Sequence, residues 1–61
     1  MIKVKMFDYE HEKDLEREMN HFLTKLAEDK LIDIKYNVAA MEEDSEQIYC
    51  FSALIMYKEA Q

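Results

Sequence analysis

The stretch IYCFSALIMY, residues 48–57, decides the fold of this 61-residue chain. It is rich in aromatic and β-branched residues and contains neither Gly nor Pro, which favours a strand over a helix. Successive side chains of a strand point to opposite faces, and here both alternating sets are apolar. A half-buried strand would alternate apolar with polar residues, so the pattern predicts a central strand that is covered on both sides.

Two other alternating stretches predict further strands. Residues 2–7, IKVKMF, place Lys3 and Lys5 on one face together with Phe7, and lysines suit an edge strand. Residues 31–41, LIDIKYNVAAM, alternate as well and lead into the polar sequence EEDSE at 42–46. That connector predicts a hairpin loop in which Asp44 is best able to adopt a positive φ. The apolar sets are Ile2, Val4 and Met6, which are expected to face the core, and Ile32, Ile34, Tyr36, Val38 and Ala40.

A helix is predicted over residues 10–28, between the first two strands. Asp8 is the expected cap, and Glu10 and Glu12 suit the positive end of the helix dipole. Apolar residues recur at a spacing that forms one stripe along this helix. They are Leu15, Met19, Phe22, Leu23 and Leu26.

The predicted element order is β-α-β-β in a single domain of residues 1–61. The long first crossover skips a strand position and the hairpin fills it, which gives an α+β fold with a three-stranded antiparallel sheet of order 1-3-2. The helix covers one face in a half-ferredoxin-like arrangement. A domain of this size buries only about 60% of its unfolded surface. The second covering layer must therefore come from another copy or from another protein.

An apolar interface is predicted on the sheet face that the helix leaves uncovered. The pattern does not decide which set of residues from strand 48–57 faces the helix, and the odd-numbered set is the favoured candidate for the uncovered face. Several aromatic side chains in a row would form a patch of the kind that marks an interface. The predicted interface residues are Phe7, Tyr49, Phe51, Ile55 and Tyr57.

Composition limits the classes of partner. The chain has 14 acidic and 8 basic residues and a net charge of −6, which argues against nonspecific binding to nucleic acid or to an anionic membrane. The start of the chain, MIKVKMFDYE, lacks the long apolar core of a signal peptide, and no run reaches the length of a membrane span. A single Cys provides no disulfide framework, so a reduced, cytoplasmic setting is expected.

No group of residues predicts a reaction, so we expect no enzyme, no catalytic residue, no metal and no cofactor. Asp14, Glu18 and His21 share a helix flank and have metal-ligand chemistry, but a solvated polar stripe is the favoured interpretation. Cys50 is interpreted as a small hydrophobic residue rather than a reactive thiol. The tyrosines at 36, 49 and 57 and Phe51 are more typical of packing than of stacking on a planar ligand.

Three segments resemble a family of small acidic sporulation proteins from Gram-positive spore formers. They are FDYEHEKDLEREMNHFL, LIDIKYNVA and YCFSALIMYKE, which together make up most of the chain. The family shows an E-K-D-L-E type helix, an I-D-I-K strand and a Y-S-A-L-I-x-Y strand, from which this chain departs at Cys50 and Phe51. The resemblance implies expression in the mother cell during sporulation and supplies no catalytic residue.

Two functions are compatible with these observations. The first is a small non-enzymatic, sporulation-associated protein that acts as a homo-oligomeric structural or adaptor module, a dimer or larger, with a possible further protein partner. The alternative is an oligomer that binds and stores a flavin-like small molecule, because small flavin-storing proteins share the β-α-β-β order. The Trp that such proteins stack on the flavin is missing here.

Overall fold

The computed structural model describes residues 1–59 and has the predicted element order. The elements are β1 (Ile2–Tyr9), α1 (Glu12–Thr24), a short 3-10 helix (Glu28–Lys30), β2 (Leu31–Glu43) and β3 (Glu46–Lys58). The sheet has the order β1-β3-β2, and both neighbouring pairs are antiparallel. This arrangement confirms the predicted α+β fold and the central position of the apolar strand.

The helix is shorter at both ends than predicted. Its N-cap is His11 rather than Asp8, and Asp8 instead lies within β1. At the other end the N–H groups of Lys25 and Leu26 donate to carbonyl oxygens three residues earlier, which tightens the last turn. Ala27 then adopts an extended conformation, so the helical stripe stops before Leu26.

The β2–β3 hairpin is longer and its turn tighter than predicted. Each strand has 13 residues, and only Asp44 and Ser45 connect them. Both have positive φ, 49° for Asp44 and 70° for Ser45, as a two-residue type I′ turn requires. The prediction of a positive φ at Asp44 is confirmed. In a chain without Gly, Ser45 also takes this unfavourable region.

The core lies between α1 and the β1–β3 half of the sheet. Phe7, Leu15, Ala53 and Ile55 are buried, and Ile55 is completely inaccessible to solvent. The ring of Phe22 packs edge-on against Phe7, with ring centroids 6.2 Å apart, and against Tyr57 at 5.2 Å. Residues from three elements thus share one small apolar cluster under the helix.

The predicted facing of the side chains is wrong for both β1 and β3. Phe7 and the odd-numbered residues of β3 lie under the helix, not on the uncovered face. Ile2, Val4 and Met6, which were expected in the core, are exposed on the opposite face. The physical reason is that Phe7 lies directly opposite Ala53, where a small side chain leaves space for its ring and for Phe22.

The helix leaves β2 uncovered. All 13 residues of this strand are exposed, because α1 lies over β1 and β3. The hairpin also extends beyond β1, since Tyr9 pairs with Phe51 and residues 46–50 of β3 pair only with β2. The chain therefore has extents of 49 × 18 × 14 Å.

A matched pair of isoleucines tests this core assignment. Ile34 and Ile55 are direct partners on neighbouring strands, but Ile34 is 40% exposed and Ile55 is buried. We expect Ile55→Ala to lower the free energy of unfolding by about 2–5 kcal/mol, because it leaves a cavity. Ile34→Ala should cost less than about 1 kcal/mol. Urea unfolding at one protein concentration measures both, and equal losses would contradict the assigned core.

Candidate interaction surface

The sheet face away from α1, here called the open face, carries a continuous apolar patch. In the sheet register Val4 lies opposite Met56, and Met6 lies opposite Leu54. Ile2 extends this block along β1. The five side chains Ile2, Val4, Met6, Leu54 and Met56 are defined as the apolar patch. Neighbouring pairs of this kind are the unit that packs against a second layer.

Charged side chains border the apolar patch on β2 and at both ends. On β2, Asp33 lies opposite Met56 and Lys35 opposite Leu54, and their side chains form an ion pair of 3.5 Å between Nζ and Oδ2. Lys58 lies beside Ile2 at one end, and Asp8 lies beside Ser52 at the other. The rim therefore has acidic and basic groups at separate, defined positions.

A small polar cluster closes one end of the apolar patch. The Cys50 thiol donates a hydrogen bond of 2.7 Å to Oδ1 of Asp8, and the Ser52 hydroxyl donates to the same atom at 3.5 Å. The pKa of the Cys50 thiol lies above its ordinary value, chiefly because of the hydrogen bond to Asp8. Desolvation and the negative charge of Asp8 raise it further. Cys50 is half-buried, and the raised pKa favours its protonated thiol, which is less nucleophilic than the thiolate.

The five predicted interface residues all lie on the helix side of the sheet. Phe7 and Ile55 are in the core, and Phe51 and Tyr57 are partly buried against it. Tyr49 is the exposed member; its ring stacks on Phe51 with centroids 6.3 Å apart. Their placement on the uncovered face is wrong, and their participation in an interface stays a prediction.

The alternation of the β1 part of the apolar patch is visible in the sequence, but its exposure is not. Ile2, Val4 and Met6 have the spacing of a buried strand face, and this pattern alone does not say which layer buries them. The competing residue on β1 is Phe7, whose ring packs against Phe22 of the helix. The packing of one large aromatic side chain on the lysine face, rather than the number of aliphatic ones, thus decides which face of β1 lies under the helix.

Asp14, Glu18 and His21, for which a solvated stripe was the favoured interpretation, are partly engaged in ion pairs. Arg17 pairs with Asp14 at 2.9 Å and with Glu18 at 3.7 Å. Among residues 1–59, no group of three His, Cys, Asp or Glu side chains is arranged to hold a metal ion. Within the same residues, α1 and the 3-10 helix are both too short and too polar to cross a membrane.

The fold and surface define a small acidic α+β protein whose most prominent described feature is an exposed apolar sheet face. The chain belongs to the family described as sporulation protein Cse60, whose family model matches residues 1–59. It is similar to "Sporulation protein cse60" of Bacillus subtilis (strain 168), with 61% identity over 59 residues, which cover 95% of this chain and 98% of the relative. No solved structure matches.

Substitutions of Asp8 and Ser52 should change the reactivity of the Cys50 thiol in opposite directions. Asp8→Asn removes the negative charge that disfavours the thiolate, so Cys50 should react with iodoacetamide at pH 8 faster by a factor of roughly two to ten. The Ser52 hydroxyl acts in the opposite direction and lowers the pKa of the thiol, so Ser52→Ala should slow the reaction. Mass spectrometry over time gives both rates, and a slower reaction in Asp8→Asn would refute the assigned cause.

Proposed function

We propose that this protein is a non-enzymatic, homo-oligomeric structural or adaptor module of spore formation that acts in the cytoplasm of the mother cell. Membership of the sporulation protein family gives the process. The mother-cell cytoplasm is the setting that the resemblance and the single, half-buried thiol favour. The observation that carries the oligomeric role is the amount of surface that one chain exposes.

One copy exposes more surface than a compact monomer of its mass. The accessible area is 5032 Å² for a chain of 7.4 kDa. A folded monomer of this mass exposes about 4,200 Å². The excess is about 800 Å², which is also about the area that each partner buries in a stable interface of standard size. Association of two copies would remove an amount of surface typical of a specific complex.

The shape of the chain supports the same conclusion. Its radius of gyration is 13.9 Å, whereas a compact domain of this length has about 10.5 Å. The difference arises because one helix covers part of a long, thin sheet and leaves β2 exposed along its length. A second layer over this sheet would cover apolar surface that one copy leaves exposed.

The aromatic packing favours this role over flavin storage. Tyr49 and Phe51 stack on each other, and Tyr57 packs against Phe22, so three of the four candidate rings already have aromatic partners within the chain, whereas Tyr36 is 57% exposed. A stacking site for an isoalloxazine ring needs free aromatic faces. Flavin storage stays the alternative prediction. Quenching of flavin fluorescence on titration with the protein would make it the leading function.

Light scattering on a sizing column, across a dilution series, tests the oligomeric role. We expect a multiple of 7.4 kDa that persists to micromolar concentration. Each copy carries a charge of −6, so the copies repel one another and added salt should tighten association. A mass of 7.4 kDa at all concentrations and salt levels would contradict the homo-oligomeric function.

A further inference from the structure

We propose that two copies of this chain associate through the open face, with the apolar patch of one copy on that of the other. The two sheets stack about a two-fold axis that lies between them and runs across the strands. This inference rests on the proposed homo-oligomeric function and adds to it the surface, the partner and the relative orientation.

The three β1 side chains of the apolar patch are more than half exposed to solvent. Ile2 is 62% exposed, Val4 51% and Met6 73%. Beside them on the same face, Leu54 and Met56 of the central strand are half-buried, so the patch spans two strands without a polar interruption. A continuous apolar surface with a charged rim is typical of a protein interface, and its flat sheet geometry suits a second sheet.

The order of charges on β2 identifies a second copy as the occupant. A two-fold axis between the Val4–Met56–Asp33 row and the Met6–Leu54–Lys35 row reverses the strand direction in the second copy. Asp33 of one copy then lies above Lys35 of the other, and Lys35 lies above Asp33. A self-complementary pattern of this kind is what an interface between identical surfaces requires.

The same axis matches the two ends of the apolar patch. Reversal places Lys58 over Ser52 and Ile2 over Asp8 of the second copy, so Lys58 lies one strand away from the Asp8 carboxylate. In the centre, Val4 lies over Met6 and Met56 over Leu54 of the second copy. Stacked sheets are about 10 Å apart and keep their strands within about 30° of each other, which lets apolar side chains of this size interdigitate.

The groove between α1 and β2 is a poorer self-interface. It has apolar walls, formed by Leu15, Met19 and Ile34 among others, and its rim includes Glu12, Glu16 and Lys13, which pairs with Glu16 at 3.7 Å. The rim keeps a net negative charge, so two copies that met there would add repulsion to that of their net charges. The open face is bordered by two acidic groups, Asp8 and Asp33, and two basic groups, Lys35 and Lys58.

A matched pair of methionines tests the surface. Met6 and Met41 both lie on exposed strand surface, 73% and 58% exposed, but Met41 is on the part of the hairpin that extends beyond β1. Met6→Glu should raise the dissociation constant of the dimer by at least about 100-fold, because each dimer buries two such side chains. Met41→Glu should leave it within about threefold of the wild type. Light scattering over a dilution series gives all three constants.

The outcomes separate this inference from the proposed function. An oligomer that survives Met6→Glu would overturn the assigned surface while leaving the homo-oligomeric function intact. Equal loss in both variants would place the interface along the hairpin and also overturn the apolar patch. A monomeric wild type would remove the function itself. Circular dichroism checks folding, and Met6→Thr, a polar change suited to a strand, takes the place of Met6→Glu if that variant unfolds.

The orientation has a test of its own. A carbodiimide, which joins a lysine to a carboxylate that it contacts, is applied to dimers mixed from ¹⁴N- and ¹⁵N-labelled copies. We expect a cross-linked peptide pair that joins Lys35 of one label to Asp33 of the other. If every Lys35–Asp33 product carries a single label, the pair forms only within one copy and the two-fold arrangement is wrong.

Discussion

The structure depends on one constraint: a single 13-residue helix must cover a three-stranded sheet whose central strand is apolar on both faces. One helix has a diameter of about 10 Å and covers part of one face only. It buries Ile55 and Ala53 and leaves Leu54 and Met56 of the same strand on the open face. The exposed apolar surface of the sheet follows from this shortage of covering layers, because residues 1–59 contain no second α-helix.

The sequence predicted the elements and their order because these depend on local pattern and topology. The apolar run at 48–57 had to be central, and the hairpin could place it between the other two strands only in the order β1-β3-β2. The facing of β1 could not be predicted, since both of its faces have residues able to pack. That choice depends on a contact distant in sequence, the fit of Phe7 between Ala53 and Phe22.

The same argument explains why the predicted interface residues lie on the other face of the sheet. A side-chain period of two means that one change of parity moves every side chain of a strand to the other face. Phe7 and Ile55 of the predicted interface set lie in the core, and the predicted core set of Ile2, Val4 and Met6 is exposed. An uncovered apolar face was therefore predictable, but the identity of its residues depends on which face of the sheet the helix covers.

Stacking through the apolar patch would leave the hairpin arms free and give an adaptor its geometry. Residues 39–50 extend beyond the end of β1, and the two-fold axis reverses the strands, so the arms of two copies project from opposite ends of the dimer. Each arm carries Tyr49 on one face and an acidic tip that includes Glu42, Glu43 and Glu46. Two identical arms that point apart would allow one dimer to engage two partner molecules at once, which a monomer with one arm would not.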